Sequence, residues 1–152
     1  MPWKFSACSS KENELPSLQT YLLDTNVLLI ALVSPERLPQ EVQSWLVNPD
    51  HDIYFSSASI WEIAIKCSLR REGFSFLPEE IHRLAIEAGF VELTLQSSHC
   101  YPVVNMPWHH RDPFDRILVA QSQSLSARLL TTDSMLSRYS DFVIVTPLEV
   151  VQ

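Results

Sequence analysis

Tyr21-Leu22-Leu23-Asp24-Thr25-Asn26-Val27-Leu28-Leu29-Ile30 is the stretch that decides the fold class. Three apolar residues run into Asp24-Thr25, a pair that caps helices well, and an apolar run resumes at Val27 and lasts to Leu32. This is a short buried strand feeding directly into a buried helix. The same alternation repeats along the chain. Glu41 to Val47 reads as an amphipathic helix stopped by Asn48-Pro49, and Ile53-Tyr54-Phe55 as a second strand. Ser57 to Leu69 is a helix with Ile60, Ile63, Ala64 and Cys67 on one face. Pro78-Glu79-Glu80 opens another, with proline in the first turn and acids beside the positive dipole end, and Gly89 closes it. Val91-Glu92-Leu93 is a third strand. Asp112-Pro113 starts a helix to about Leu125, and Arg128-Leu129-Leu130 is a fourth strand. Thr132-Asp133 caps a short helix to Tyr139, and Phe142 to Val145 is a fifth strand. Short strands that are apolar on both faces and separated by helices predict an α/β chain. The expected architecture is a three-layer α/β/α fold on a central parallel sheet of about five short strands.

Composition narrows the function. With 152 residues and 46% hydrophobic side chains, the chain has material for one domain with a sizeable core. Its only glycines are Gly73 and Gly89, so neither GxGxxG nor GxxxxGK[ST] can be written. A backbone cradle for nucleotide phosphates is excluded. The formal net charge of -7 argues against nucleic-acid binding through a broad cationic face. Three cysteines, Cys8, Cys67 and Cys100, without CxxC spacing read as reduced thiols of a cytoplasmic protein. The longest apolar stretch is interrupted by Asp24-Thr25-Asn26, which predicts no membrane span. Residues 1–20 lack periodicity and read as a flexible tail before a domain covering 21–152.

The acids fall in comparable places. Asp24 and Asp133 each follow a strand, Glu62 lies in the first turns of the helix after the second strand, and Asp115 lies in the first turn of the Pro113 helix. All strand-to-helix junctions of a parallel sheet share one edge, where such sheets bind ligands. Asp24, Glu62 and Asp133 therefore converge, and Asp115 joins them if its helix starts at that edge. Carboxylates crowded together repel and resist ionisation unless a cation joins them. Oxygen ligands of this kind suit Mg²⁺ or Mn²⁺, and the matching chemistry is metal-assisted attack of water on a phosphodiester. Each acid taken singly also has a plain structural reading. Asp24, Asp112 and Asp133 are good N-caps, Ser59 and Glu62 have capping-box spacing, and Glu62 and Lys66 form an i,i+4 pair.

Other residues weigh less. His109-His110 have neither HExxH spacing nor a cysteine partner and read as structural or solvent-facing, with His110 and Trp108 bordering a substrate groove as the alternative. Arg111 and Arg116 flank the acids and either hold phosphate oxygens or pair with neighbouring carboxylates. Lys66 contacts substrate or stays with Glu62. Trp45 and Trp61 read as core or interface residues. Arg70-Arg71 is a solvated helix end.

Three segments occur in order: Tyr21-Leu22-Leu23-Asp24-Thr25-Asn26, then Ser59-Ile60-Trp61-Glu62-Ile63-Ala64-Ile65-Lys66, then Asp112-Pro113-Phe114-Asp115-Arg116, followed by Thr131-Thr132-Asp133. This series resembles PIN-domain proteins, in particular the VapC-like toxins of type II toxin–antitoxin systems, over about residues 21–147. The resemblance implies an α/β/α fold, RNA cleavage with Mg²⁺ or Mn²⁺, neutralisation by a small cognate antitoxin, and homodimers. By position, Asp24, Glu62, Asp115 and Asp133 match the family's metal-binding acids, with Thr25, Asn26 and Thr132 as polar support. Lys66 and Arg116 are substrate-binding candidates. His often stands where this chain has Asn26, Asp112 is a fifth acid able to share the work of Asp115, and the N-terminal segment has no counterpart. Two other classes stay open: a receiver-like phosphoacceptor domain and a catalytically silent PIN-like module that binds RNA or protein. A receiver needs paired acids after the first strand and an aspartate after the third, and Val91-Glu92-Leu93-Thr94 has none.

Overall fold

In the computed structural model, residues 19–70 and 72–148 are described. The expected tail therefore lies outside the described residues, except for Gln19 and Thr20. Thr20 opens the first strand, and the Gln19 carbonyl accepts from the Asp52 N–H at 2.9 Å.

The central strand β1 is Thr20–Leu23. Around it stand β2 (Asp52–Ser56), β3 (Val91–Leu93), β4 (Arg128–Thr131) and β5 (Val143–Val145), all parallel, in the order β3-β2-β1-β4-β5. Leu23 is in register with Phe55 on one side and Leu130 on the other. The period of two in β1 then divides the core between the sheet faces. Tyr21 and Leu23 pack into a cluster with Val27, Val42, Ile63, Ile81 and Ala85, whereas Leu22 packs with Leu118, Val119, Leu136 and Phe142. Burying a leucine here contributes roughly 1.5–3 kcal/mol, and strands with both faces covered are the reason the sequence shows unbroken apolar triplets.

The first face is covered by α1 (Thr25–Val33), α2 (Gln40–Val47), α3 (Ser57–Ser68) and α4 (Pro78–Glu87), and the second by α6 (Pro113–Leu125) with the 3-10 turn Ser134–Arg138. This is the expected three-layer arrangement. One segment folds without any periodic signal in its sequence: α5 (Ser97–Cys100) and the 3-10 turn Tyr101–Asn105. Their fold is fixed by polar contacts instead. His99 is buried, its Nδ1 accepts from the Gln96 N–H at 3.0 Å, and Gln121 Nε2 lies 3.3 Å from the same nitrogen. Gln121 Oε1 in turn accepts from the Ser56 hydroxyl at 2.6 Å. Among the described residues no helix is long and apolar enough to cross a membrane.

The chain reverses direction across the sheet at β1. After β1 it builds outward through β2 and β3, then crosses back to lay β4 on the other side of β1. The carboxyl ends of β1 and β4 therefore flank the crevice where open α/β sheets bind ligands. Asp24 and Thr132-Asp133 stand at those two ends.

Candidate active site

Each junction acid is held by the local chain. Asp24 caps α1, its Oδ1 accepting from the Val27 N–H at 2.8 Å, while its own N–H donates to the Leu130 carbonyl at 2.9 Å. Asp112 caps α6 through Phe114 N–H at 2.9 Å, and Asp133 caps the Ser134–Arg138 turn through Met135 N–H at 2.9 Å. Capping and convergence are thus compatible: the acids that hold these helix starts are the ones that face a common cleft. The capping-box reading of Ser59 and Glu62 is incorrect. Ser56 caps α3 through the Ala58 N–H at 3.0 Å, which places Ser59 and Glu62 inside the helix and frees both side chains. The Thr25 hydroxyl donates to Glu62 Oε1 at 2.6 Å and lies 2.9 Å from the Ser59 hydroxyl. Lys66 Nζ pairs with Glu62 Oε2 at 2.9 Å, as the i,i+4 spacing predicts.

The structure brings Asp24, Thr25, Asn26, Glu62, Lys66, Asp112, Asp115, Thr132 and Asp133 around one cleft of about 340 Å³, whose remaining walls are Leu29 and Phe74. Asn26 Nδ2 donates to the Thr132 hydroxyl at 2.9 Å, tying the start of α1 to the loop after β4. Arg116 is not among the residues lining this cleft. It is only 3% exposed, and its guanidinium donates to the carbonyls of Pro107 at 2.8 Å and Val103 at 3.3 Å and to the Tyr139 hydroxyl at 3.1 Å. It also sits over the Trp108 ring, 3.9 Å from the centroid. A guanidinium with five fixed donors is well suited to gathering loop carbonyls, and here it pins the 103–110 loop rather than facing a phosphate. Trp61 departs from the core reading: it is 60% exposed, with its ring in edge contact with Phe114.

His110 is the residue that spacing did not assign to the site. Its Nδ1 accepts from the Asp112 N–H at 3.0 Å, so the ring proton sits on Nε2. From there it donates to Asp133 Oδ2 at 2.7 Å and lies 3.5 Å from Asp115 Oδ2. Among the described residues, His110, Asp115 and Asp133 form a set whose donor atoms all lie within 4.8 Å of one another. The available signal was His110 standing two residues before Asp112, which a local N–H···Nδ1 turn can exploit.

The electrostatics show that these acids share one environment. Burial pushes the Asp24 carboxyl up to about 6, with the Glu62 charge adding to it and hydrogen bonds from Thr131, Val27 and Thr132 opposing. Burial also pushes Asp115 up to about 7, helped by the charges of Asp112, Asp24 and Glu62 and opposed by His110. Burial and mutual repulsion thus bring both carboxyls to the edge of neutrality, so that at pH 7 Asp115 still holds a proton about half the time while Asp24 is mostly ionised. A divalent cation would offset that repulsion, and carboxylate oxygens of this kind suit Mg²⁺ or Mn²⁺.

Residues 21–141 match the PIN domain family. The chain belongs to it. PIN domains are generally nucleases, and the PIN match spans all four junction acids. No curated protein matches this PIN domain in sequence. Similar solved structures include the crystal structure of VapBC2 from Rickettsia felis bound to a DNA fragment from their promoter. It has a TM-score of 0.60 and 14% identity, covering 86% of this chain and 100% of that one. A toxin-antitoxin complex from Klebsiella pneumoniae gives 0.58 and 20% identity over 86% and 99% of the two chains. FitAcB from Neisseria gonorrhoeae gives 0.52 and 20% identity over 82% and 96%. At these identities the likeness is one of fold.

Proposed function

We propose that this PIN domain is an Mg²⁺- or Mn²⁺-dependent endoribonuclease that acts as the toxin of a toxin–antitoxin pair and is neutralised by a small cognate antitoxin. The observation that carries the reading is the single cleft in which Asp24, Glu62, Asp112, Asp115 and Asp133 meet, two of them pushed up to about 6 and about 7. The partner part of the reading is supported by the solved neighbours, a VapBC assembly and a toxin-antitoxin complex among them. Homodimerisation belongs to the same reading, with exposed Trp61 as an apolar anchor. A ribonuclease of this kind works in the cytoplasm, in keeping with the free thiols of Cys67 and Cys100.

Asp24, Asp115 and Asp133 are the residues that would hold the cation, with His110 orienting Asp133; Glu62, expected to join them, has both oxygens bound by Thr25 and Lys66. Once bound, such an ion supplies Lewis acidity toward the phosphodiester and its attacking water. The protein's own part is positioning. Thr25 and Lys66 hold both oxygens of Glu62, so that carboxylate keeps one orientation. Asn26 and Thr132 keep the two sides of the crevice at fixed separation. His110 holds its Nε2 proton against Asp133, orienting that carboxylate toward Asp115. Purified, antitoxin-free chain incubated with cellular RNA should cleave it with Mg²⁺ or Mn²⁺ and stop with a chelator. Cleavage that persists in the chelator, or no cleavage of any RNA, refutes the proposal.

A further inference from the structure

A second groove adjoins the acid cleft, of about 440 Å³ and lined by Trp108, His109, His110, Arg111, Met135 and Arg138. The volume is within the ~300–1,000 Å³ usual for sites that hold a ligand of a few rings. It shares His110 with the acid centre. Met135 and Arg138 belong to the turn that Asp133 caps, and Arg111 is the residue before Asp112. The chemistry changes sign across that wall, from carboxylates to cations and aromatic rings. Among the described residues neither Arg111 nor Arg138 forms an ion pair, and both are exposed. Trp108 is 75% exposed, and Arg116 lies over one of its faces. Arg116 does not line this groove, whereas Trp108 and Arg111 line both it and the neighbouring groove that Arg116 borders.

We infer that this groove is a nucleotide subsite that holds one unpaired nucleotide of the RNA beside the cleaved phosphodiester, with its base stacked on exposed Trp108 and its phosphate between Arg111 and Arg138. The inference rests on the ribonuclease reading of the adjoining cleft. Bases stack on aromatic faces irrespective of sequence, and only an unpaired base offers its face. A protein with net charge -7 repels a phosphate chain over most of its surface. Two unpaired arginines next to the acid cleft therefore supply attraction where a bound strand must pass. Single-stranded RNA is preferred over duplex for the same reasons.

The test uses the full chain carrying Asp24→Asn to stop cleavage, with Mg²⁺ and a fluorescent single-stranded RNA of about 12 nucleotides, within the footprint of single-strand binders. Trp108→Ala should weaken binding about 5- to 150-fold, from the usual worth of a base–aromatic stack, and Trp108→Phe should recover most of it. Arg111→Gln with Arg138→Gln, both exposed and harmless to folding, should lower the slope of log affinity against log salt by about 1.4. The same RNA annealed to its complement should show no dependence on Trp108. In the otherwise unaltered enzyme, Trp108→Ala should raise KM and leave kcat within a few-fold. Unchanged RNA affinity in all variants, while the unaltered chain cleaves RNA, overturns the subsite and leaves the ribonuclease reading standing. Trp108-dependent binding without any cleavage by the unaltered chain supports the subsite and removes the catalytic reading. Variants that lose affinity only for a protein partner, with RNA affinity intact, also overturn the inference.

Discussion

Asp115 and Asp112 stand three residues apart on the first turn of α6 and line the same cleft, yet their surroundings divide their work. Asp112 commits Oδ1 to the helix cap, and its N–H is bound to His110. Asp115 has no capping duty, faces His110 and Asp133, and is the carboxyl pushed up to about 7. We expect Asp115→Asn to lower RNA cleavage by roughly 10²–10³-fold, the scale on which electrostatic groups at a reacting phosphate act. Asp112→Asn should cost less than about tenfold and leave thermal stability unchanged, since asparagine caps as well as aspartate. Steady-state rates and melting curves on the two variants check this division, and equal losses would contradict it. His110→Ala should lower Mn²⁺ affinity about 10- to 100-fold, the usual effect of removing a group that orients carboxylate ligands. The acids were legible from spacing because parallel-sheet junctions converge whatever the loops do. His110 was not, because its Nε2 reaches Asp133 only through the shape of the 103–111 loop, which sequence-local rules do not describe.

At the level of elements, the strands and major helices were legible because their apolar patterns are local and strong. The exceptions have identifiable causes. The α5 segment is held by the Ser56–Gln121–His99 chain, a tertiary network without periodicity. The 103–110 loop depends on Arg116, whose buried guanidinium gathers carbonyls of residues 9 and 13 positions before it. We expect Arg116→Ala to destabilise the protein by about 2–4 kcal/mol, because several charge-assisted bonds go and their carbonyl partners lose them. Arg111→Ala, at an exposed site, should change stability by less than about 0.5 kcal/mol. Denaturant unfolding of the pair separates a loop clamp from a surface cation, and similar losses would sink the distinction. Helix α6 ends at Ser126 in the left-handed region, φ 56°, where glycine is favoured. Ser126→Gly should therefore gain about 0.5–1 kcal/mol, seen as a melting point higher by a few degrees.

For the whole molecule, the acidity that argues against a nucleic-acid ligand in the composition is concentrated where a cation can use it. Without the cation that concentration is a cost. Asp24 and Asp115 bind their protons more tightly in the fold, at about 6 and about 7, than in the unfolded chain at about 4. Their contribution to stability is full below pH ~4 and is lost as pH rises through 6 to 7. Metal-free protein should melt lower at pH 7.5 than at pH 5, and Asp24→Asn should be more stable than the unaltered chain at pH 7.5 by roughly 1–3 kcal/mol. Mn²⁺ should raise the melting point at pH 7.5 and much less at pH 5, where protons compete for the same oxygens. The opposite pH trend would mean that these carboxyls are not crowded in solution. The most direct measurement is anomalous diffraction from crystals soaked in Mn²⁺ at pH 7.5. We predict a manganese peak in the cleft, within about 2.0–2.4 Å of carboxylate oxygens of Asp24, Asp115 or Asp133, and no peak there in Asp115→Asn. A cleft without manganese, beside ions bound only elsewhere on the surface, would contradict the metal-dependent nuclease centre.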